Sequence, residues 1–197
     1  MAFLNEMLNG FGSIFSAPFR SLDALWVLIP LFIMWIVLEI YFARFKKEEL
    51  GWNTALANGI TLGWLTLEGI RSLFDAKPDD FGFRFAANLV ILSYAILIVY
   101  FSFTHRISSK WDFVLASPTP VYYLGIFSVM WGFGTLEITR YVLLDLLILF
   151  FVVIILINIF RRFIKPAEEE MPGMPKEPEF GKEGGLPPFE GLPPLGK

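Results

Sequence analysis

The chain has 197 residues, 55% apolar and 18% charged, with a formal net charge of -3 and no cysteine. A soluble domain averages about 25% charged residues, so the balance points to a lipid environment, and the missing thiols exclude disulfides, thiolate catalysis, zinc–thiolate sites and iron–sulfur clusters. His105 is the only histidine, which excludes a multi-histidine metal site within one chain; the charge pattern gives no case for nucleic acid, and no cofactor is implied.

Residues 1–19 come first. Phe3, Leu4, Met7, Leu8, Phe11, Ile14 and Phe15 recur at helical spacing, and Asn5, Glu6, Asn9, Ser13 and Ser16 fill the other face. The spacing predicts an amphipathic helix, lying in the membrane interface or packed across the bundle ends. No basic side chain precedes Arg20, which argues against a cleaved signal peptide.

Five apolar segments follow, over 24–43, 53–74, 85–104, 121–136 and 141–160. A hydrocarbon core takes about 20 residues of helix, and the fourth segment is short of that. It starts at Ser117-Pro118-Thr119-Pro120, where serine suits a helix cap and proline a first turn. It is expected to span, with a re-entrant segment as the alternative. The fold class is therefore all-α: a polytopic transmembrane helical bundle of about five spans over 20–165.

The second segment carries Ala55, Gly59 and Gly63 at four-residue spacing. Such a stripe lets another backbone approach closely, which suits packing within the bundle, with a homo-oligomer as the alternative. Glu68 and Arg71, three residues apart, can pair on one helix face. Between segments two and three, Asp75, Asp79 and Asp80 read as a solvated turn. Arg84 and Asn88 open the third segment, Glu137 closes the fourth, and Arg140 and Asp145 begin the fifth. Charge inside hydrocarbon is costly and usually pairs or faces water. These seven residues, all toward one side of the membrane, are expected either to clamp the spans or to line a polar pocket. Glu39 and Asn158 are the main polar groups near the opposite ends of the spans.

From Pro166 the composition changes to proline, glycine, glutamate and lysine, too polar to fold alone. Within this tail, 166–197, Gly-Leu-Pro-Pro occurs twice. Leu186, Pro187, Pro188 and Phe189 form one unit, and Leu192, Pro193, Pro194 and Leu195 the next, six residues on. Polyproline segments are preorganised for docking, and tandem copies add avidity, so a protein partner at the tail is expected.

Five spans place the two termini on opposite sides. One side carries Arg44, Lys46, Lys47, Arg106, Lys110, Arg161, Arg162 and Lys165; the other carries Arg20, Arg71, Lys77, Arg84 and Arg140. The positive-inside rule then puts the N-terminus outside the cell membrane and the tail in the cytoplasm. The chain carries no nucleophile-elbow, zinc-protease, P-loop or dinucleotide motif. The sequence reads as a non-enzymatic membrane scaffold or accessory subunit, with a small oligomeric transporter or channel as the alternative.

Overall fold

The computed structural model describes residues 2–45 and 51–165; Lys46, Lys47 and the docking units of the tail lie outside them. Every regular element among the described residues is helical: α1 (Ala2–Ser16), α2 (Leu22–Arg44), α3 (Trp52–Ala76), α4 (Phe81–Thr104), α5 (Ser109–Leu115), α6 (Pro118–Gly132) and α7 (Arg140–Phe163), with a short 3-10 turn at Ala17–Phe19. Ser21 caps α2 by accepting from the Ala24 amide at 3.2 Å, and Thr139 caps α7 by accepting from Val142 at the same distance. Each cap satisfies an amide that the first helical turn leaves without a partner.

Four units are long and apolar enough to cross a membrane: α2, α4, the α5–α6 pair over Ser109–Gly132, and α7. The protein is an integral membrane protein. The α3 helix has 25 residues, ample length, yet it is not among the four. Its Asn58 and Thr66 are buried, and α4 and α6 are the helices that pack most extensively on it. Neighbours rather than lipid meet the polar groups on its buried face, so the helix need not be apolar all round, while Ile60, Trp64 and Leu67 stay exposed on the other face.

Contacts between helix ends define the path. Arg20, just before α2, donates to the Thr135 carbonyl before α7 at 3.1 Å, and Arg84 near the start of α4 donates to the Trp131 carbonyl in the last turn of α6 and the Leu136 carbonyl beyond it, at 3.2 and 2.9 Å. At the other end, Ser102 of α4 donates to Asp112 of α5 at 2.9 Å, and Glu39 of α2 meets Arg161 of α7. The α5–α6 unit therefore enters at one end of the bundle and leaves at the other, so it is a traverse and not a re-entrant hairpin. Counting α3, the chain passes through the bundle five times. Helix α1 and the last turn of α7 lie at opposite ends, hereafter the α1 end and the tail end.

The 15-residue α6 is about 22 Å long, too short by itself for a hydrocarbon core of about 30 Å. The seven residues of α5 make up the difference; the sequence reading contained no helix there. Helix α6 also ends earlier than expected, at Gly132 rather than near 136. Gly134 has a φ of +70°, the Thr135 amide donates to Met130 and the Gly134 amide donates to Trp131. This is a Schellman cap, which needs a residue at ease in the left-handed region.

Helix α6 is the axis of the fold. Of the apolar window of the α5–α6 unit 61% is buried, against 17% for α2 and α7. Glycines make that enclosure possible. A Cβ on Gly132 would fall inside the backbone of Gly69 on α3, and one on Gly125 would sit 2.9 Å from the Leu65 side chain. The stripe on α3 serves α4: a Cβ on Gly59 would stand 2.8 Å from Ile98, and Gly63 faces Ala95, with Ala55 fully buried beside them.

Because backbone atoms of Gly69 have no rotamer to adopt, Gly132→Ala is expected to force α3 and α6 apart. Overpacking of this kind costs about 1–3 kcal/mol, here toward the upper figure. Thermal unfolding in detergent checks it, with Gly82→Ala, which meets nothing within 4 Å, as the control.

Candidate functional site

The seven polar residues expected in one half of the membrane do lie toward the α1 end, but packing separates them. Glu68 and Arg71 form an ion pair at 2.5 Å on the outer face of α3, with the Arg71 side chain 69% exposed. That exposure makes it a weak contributor to stability. They border a polar recess of about 540 Å³ together with Ser21, Asp23, Ser72 and Asp75. Glu137 and Arg140 are exposed, and the Arg140 guanidinium lies 4.8 Å from the ring centre of Tyr141.

Arg84 and Asn88 are buried instead. Beside its two carbonyl bonds, Arg84 pairs with Asp80 at 2.6 Å. Asn88 accepts from Ser128 of α6 at 2.5 Å and donates to the Arg84 carbonyl at 2.9 Å. Both residues act as ties between α4 and the end of α6. Asp80 is thereby drawn out of the acidic turn and becomes part of this network.

Asp145 stands alone. It is fully buried, and neither carboxylate oxygen has a hydrogen-bond partner among the described residues. Its cover is α1, whose Gly10 leaves room for the carboxylate: a Cβ there would run into Asp145 Oδ2. Phe3 meets Tyr141 edge-on at 6.0 Å between ring centres, and Ile14 is buried. Helix α1 thus packs on the first half of α7, while Phe3, Leu4, Leu8 and Phe15 stay exposed.

At the tail end a second constellation joins three helices. Glu39 of α2 is only 5% exposed and accepts from Arg161 of α7 through Nε and Nη2, at 3.0 and 2.5 Å. Its other oxygen accepts from Thr119 of α6 at 2.8 Å and from Trp35 at 3.2 Å. A carboxylate this deep is tolerable only with such partners. The sequence signal was present, an acidic and a basic residue at matching depth in two spans, yet 122 residues separate them. The lone histidine, His105, is exposed and takes the left-handed conformation that closes α4, φ +52°, with its ring 4.1 Å from that of Trp52.

Helix α7 is seated loosely. Only Val142, Asp145 and Leu146 are buried along its 24 residues. Its ties are α1 over Asp145, the Tyr123 hydroxyl donating to the Leu146 carbonyl at 2.6 Å, and the Glu39–Arg161 clasp. Lipid-facing cavities flank it on both sides. Toward α2 they measure about 510 and 410 Å³ and share Phe32, Trp35 and Val153. Toward α4 and α5–α6 they measure about 460 and 370 Å³ and share Pro120 and Phe150. Comparison with protein-family models, with curated proteins and with solved structures finds no match to this chain.

The Gly10–Asp145 contact is open to a mutant cycle. Gly10→Ala is expected to lower the melting temperature by pushing α1 off α7. Asp145→Ala removes both the obstacle and an unsatisfied buried group, so the double variant should recover most of the loss. Non-additivity between contacting residues runs to about 0.5–3 kcal/mol; strict additivity would show that the two residues do not touch.

Proposed function

We propose that this integral membrane protein is a non-enzymatic scaffold or accessory subunit, whose helical bundle presents a proline-rich docking tail at the cytoplasmic face of the cell membrane. The observation that supports this reading best is how the polar side chains within the spans are used. Arg84, Asn88, Asn58 and Glu39 each bond to a neighbouring helix or to the segment that follows it, as in an anchor built for rigidity. The clasp at Glu39 holds the helix from whose end the tail departs. The twin Gly-Leu-Pro-Pro units supply the docking chemistry. Arg44, Arg106, Lys110, Arg161, Arg162 and Lys165 at the tail end support a cytoplasmic location for it.

A small transporter or channel is the second reading, and the polar recess bordered by Glu68, Arg71 and Asp75 favours it. Proteoliposome ion flux that disappears in Glu68→Gln while the melting temperature stays unchanged would favour transport over anchoring.

Two measurements test the leading reading. In sealed right-side-out vesicles, protease should remove a tag at residue 1 and spare one at residue 197; the reverse result overturns the orientation. Partner capture from detergent extract should be lost on deleting 166–197, and equally on changing Leu186, Phe189, Leu192 and Leu195 to serine with the prolines kept. Removing one unit should cost more than half of the capture, since avidity multiplies.

A further inference from the structure

The cavity of about 460 Å³ between α7 and the α4/α5–α6 side of the bundle differs from the others around α7 in being amphiphilic. Phe150, Ile154 and Ile157 wall it toward the membrane centre, while Asn158 and Arg161 line its tail end. The Arg161 side chain is 35% exposed although its partner Glu39 is almost wholly buried. Glu39 takes one N–H from Nε and one from Nη2. A guanidinium carries five N–H donors, so the clasp leaves three without a partner among the described residues, including both on Nη1. The clasp also holds the guanidinium in place before anything binds, which removes much of the side-chain ordering cost of recognition. From Phe150 to Arg161 along α7 is about 16 Å at 1.5 Å per residue, close to half of a hydrocarbon core of about 30 Å. The trough thus has the depth of one leaflet, with its cationic group where head groups begin. Arg162 and Lys165 follow directly.

We propose that this trough is a binding site for an anionic phospholipid, one acyl chain lying along Phe150, Ile154 and Ile157 and the phosphate accepting hydrogen bonds from Arg161. Arginine suits this role because its planar donors match phosphate oxygens, and basic pockets between spanning helices on the cytoplasmic side hold anionic head groups elsewhere. A free anion would leave the apolar wall unused. A zwitterionic lipid presents the same phosphate, but with an ammonium that competes with the guanidinium for it and is repelled by the guanidinium. The site lies at the root of the tail, so lipid composition would bear on how α7 is held where the tail begins.

Thermal unfolding of the full-length protein in detergent tests this, with phosphatidylglycerol, phosphatidylcholine and inorganic phosphate as separate additions. At about a hundredfold excess over Kd, phosphatidylglycerol is expected to raise the midpoint by ~5 °C or more, phosphatidylcholine by clearly less, and inorganic phosphate hardly at all. In the double variant Glu39→Gln/Arg161→Gln both charges go together, so no buried carboxylate is stranded, and the preference for phosphatidylglycerol should vanish. In Arg162→Gln/Lys165→Gln it should persist. Should the clasp variant fail to fold, Ile154→Trp, which fills the trough without touching Glu39 or Arg161, is expected to reduce the preference. Equal stabilisation by both lipids overturns the proposal, as does stabilisation by phosphate alone. A preference that follows Arg162 and Lys165, or survives Ile154→Trp unchanged, overturns it too.

Discussion

The close approach of α3 and α6 at Gly69 and Gly132 is the contact on which the rest of the bundle depends. Apolar side chains gain nothing by leaving lipid for one another, so association within a bilayer relies on van der Waals fit and hydrogen bonds between helices. Without Cβ atoms at these positions the two backbones come into direct contact. That closeness brings Ser128 to Asn88 and the end of α6 to Arg84. A short helix with no polar face is in this way enclosed by α2, α3 and α4, and its enclosure creates the inner surface against which the longer, lipid-facing helices lean.

Two kinds of polar group result, and they sit in different mechanical settings. In the α3–α4–α6 core, Asn58, Arg84 and Asn88 bond to backbone carbonyls or to one another, so they hold helices whose packing is already tight. Around α7 packing is sparse, and a few polar contacts replace it: the Tyr123–Leu146 bond and the Glu39–Arg161 clasp. Asp145 fits neither kind. It is covered by α1 and has no partner among the described residues, and the space it needs comes from the glycine at position 10. The bundle is therefore a closely packed trio with a more loosely held strap; Asp145 and the Glu39–Arg161 clasp lie along the strap, whereas the polar recess at Glu68 lies between α2 and α3.

Much of the architecture was legible in the chain, because spanning length and apolar composition report depth along the membrane normal. The helices began and ended near the expected residues, and Ser117 with Pro118 marked the start of α6. Helix α5 was missed because seven residues are too few to display a period. The end of α6 was misplaced because apolar residues continue past Gly132, and only the turn at Gly134 shows where the hydrogen-bond ladder stops. The seven polar residues were expected as one group because they share a depth. Depth says nothing about rotation around a helix axis, and rotation sends Glu68 to the surface, Asn88 to α6 and Asp145 beneath α1.

By itself, then, the sequence determined that the protein resides in a membrane, which long segments form helices, toward which end of the bundle the polar residues of the spans lie, and that the composition changes at Pro166. Those properties follow from local composition, and the solvent imposes them segment by segment. Tertiary structure alone decided which faces meet. It buried the polar Asn58 and Thr66 of α3 against its neighbours, turned α5–α6 into one traverse, and joined Glu39 to Arg161 across 122 positions. Such pairings depend on the azimuth and tilt of whole helices, which the glycine contacts of the core set collectively.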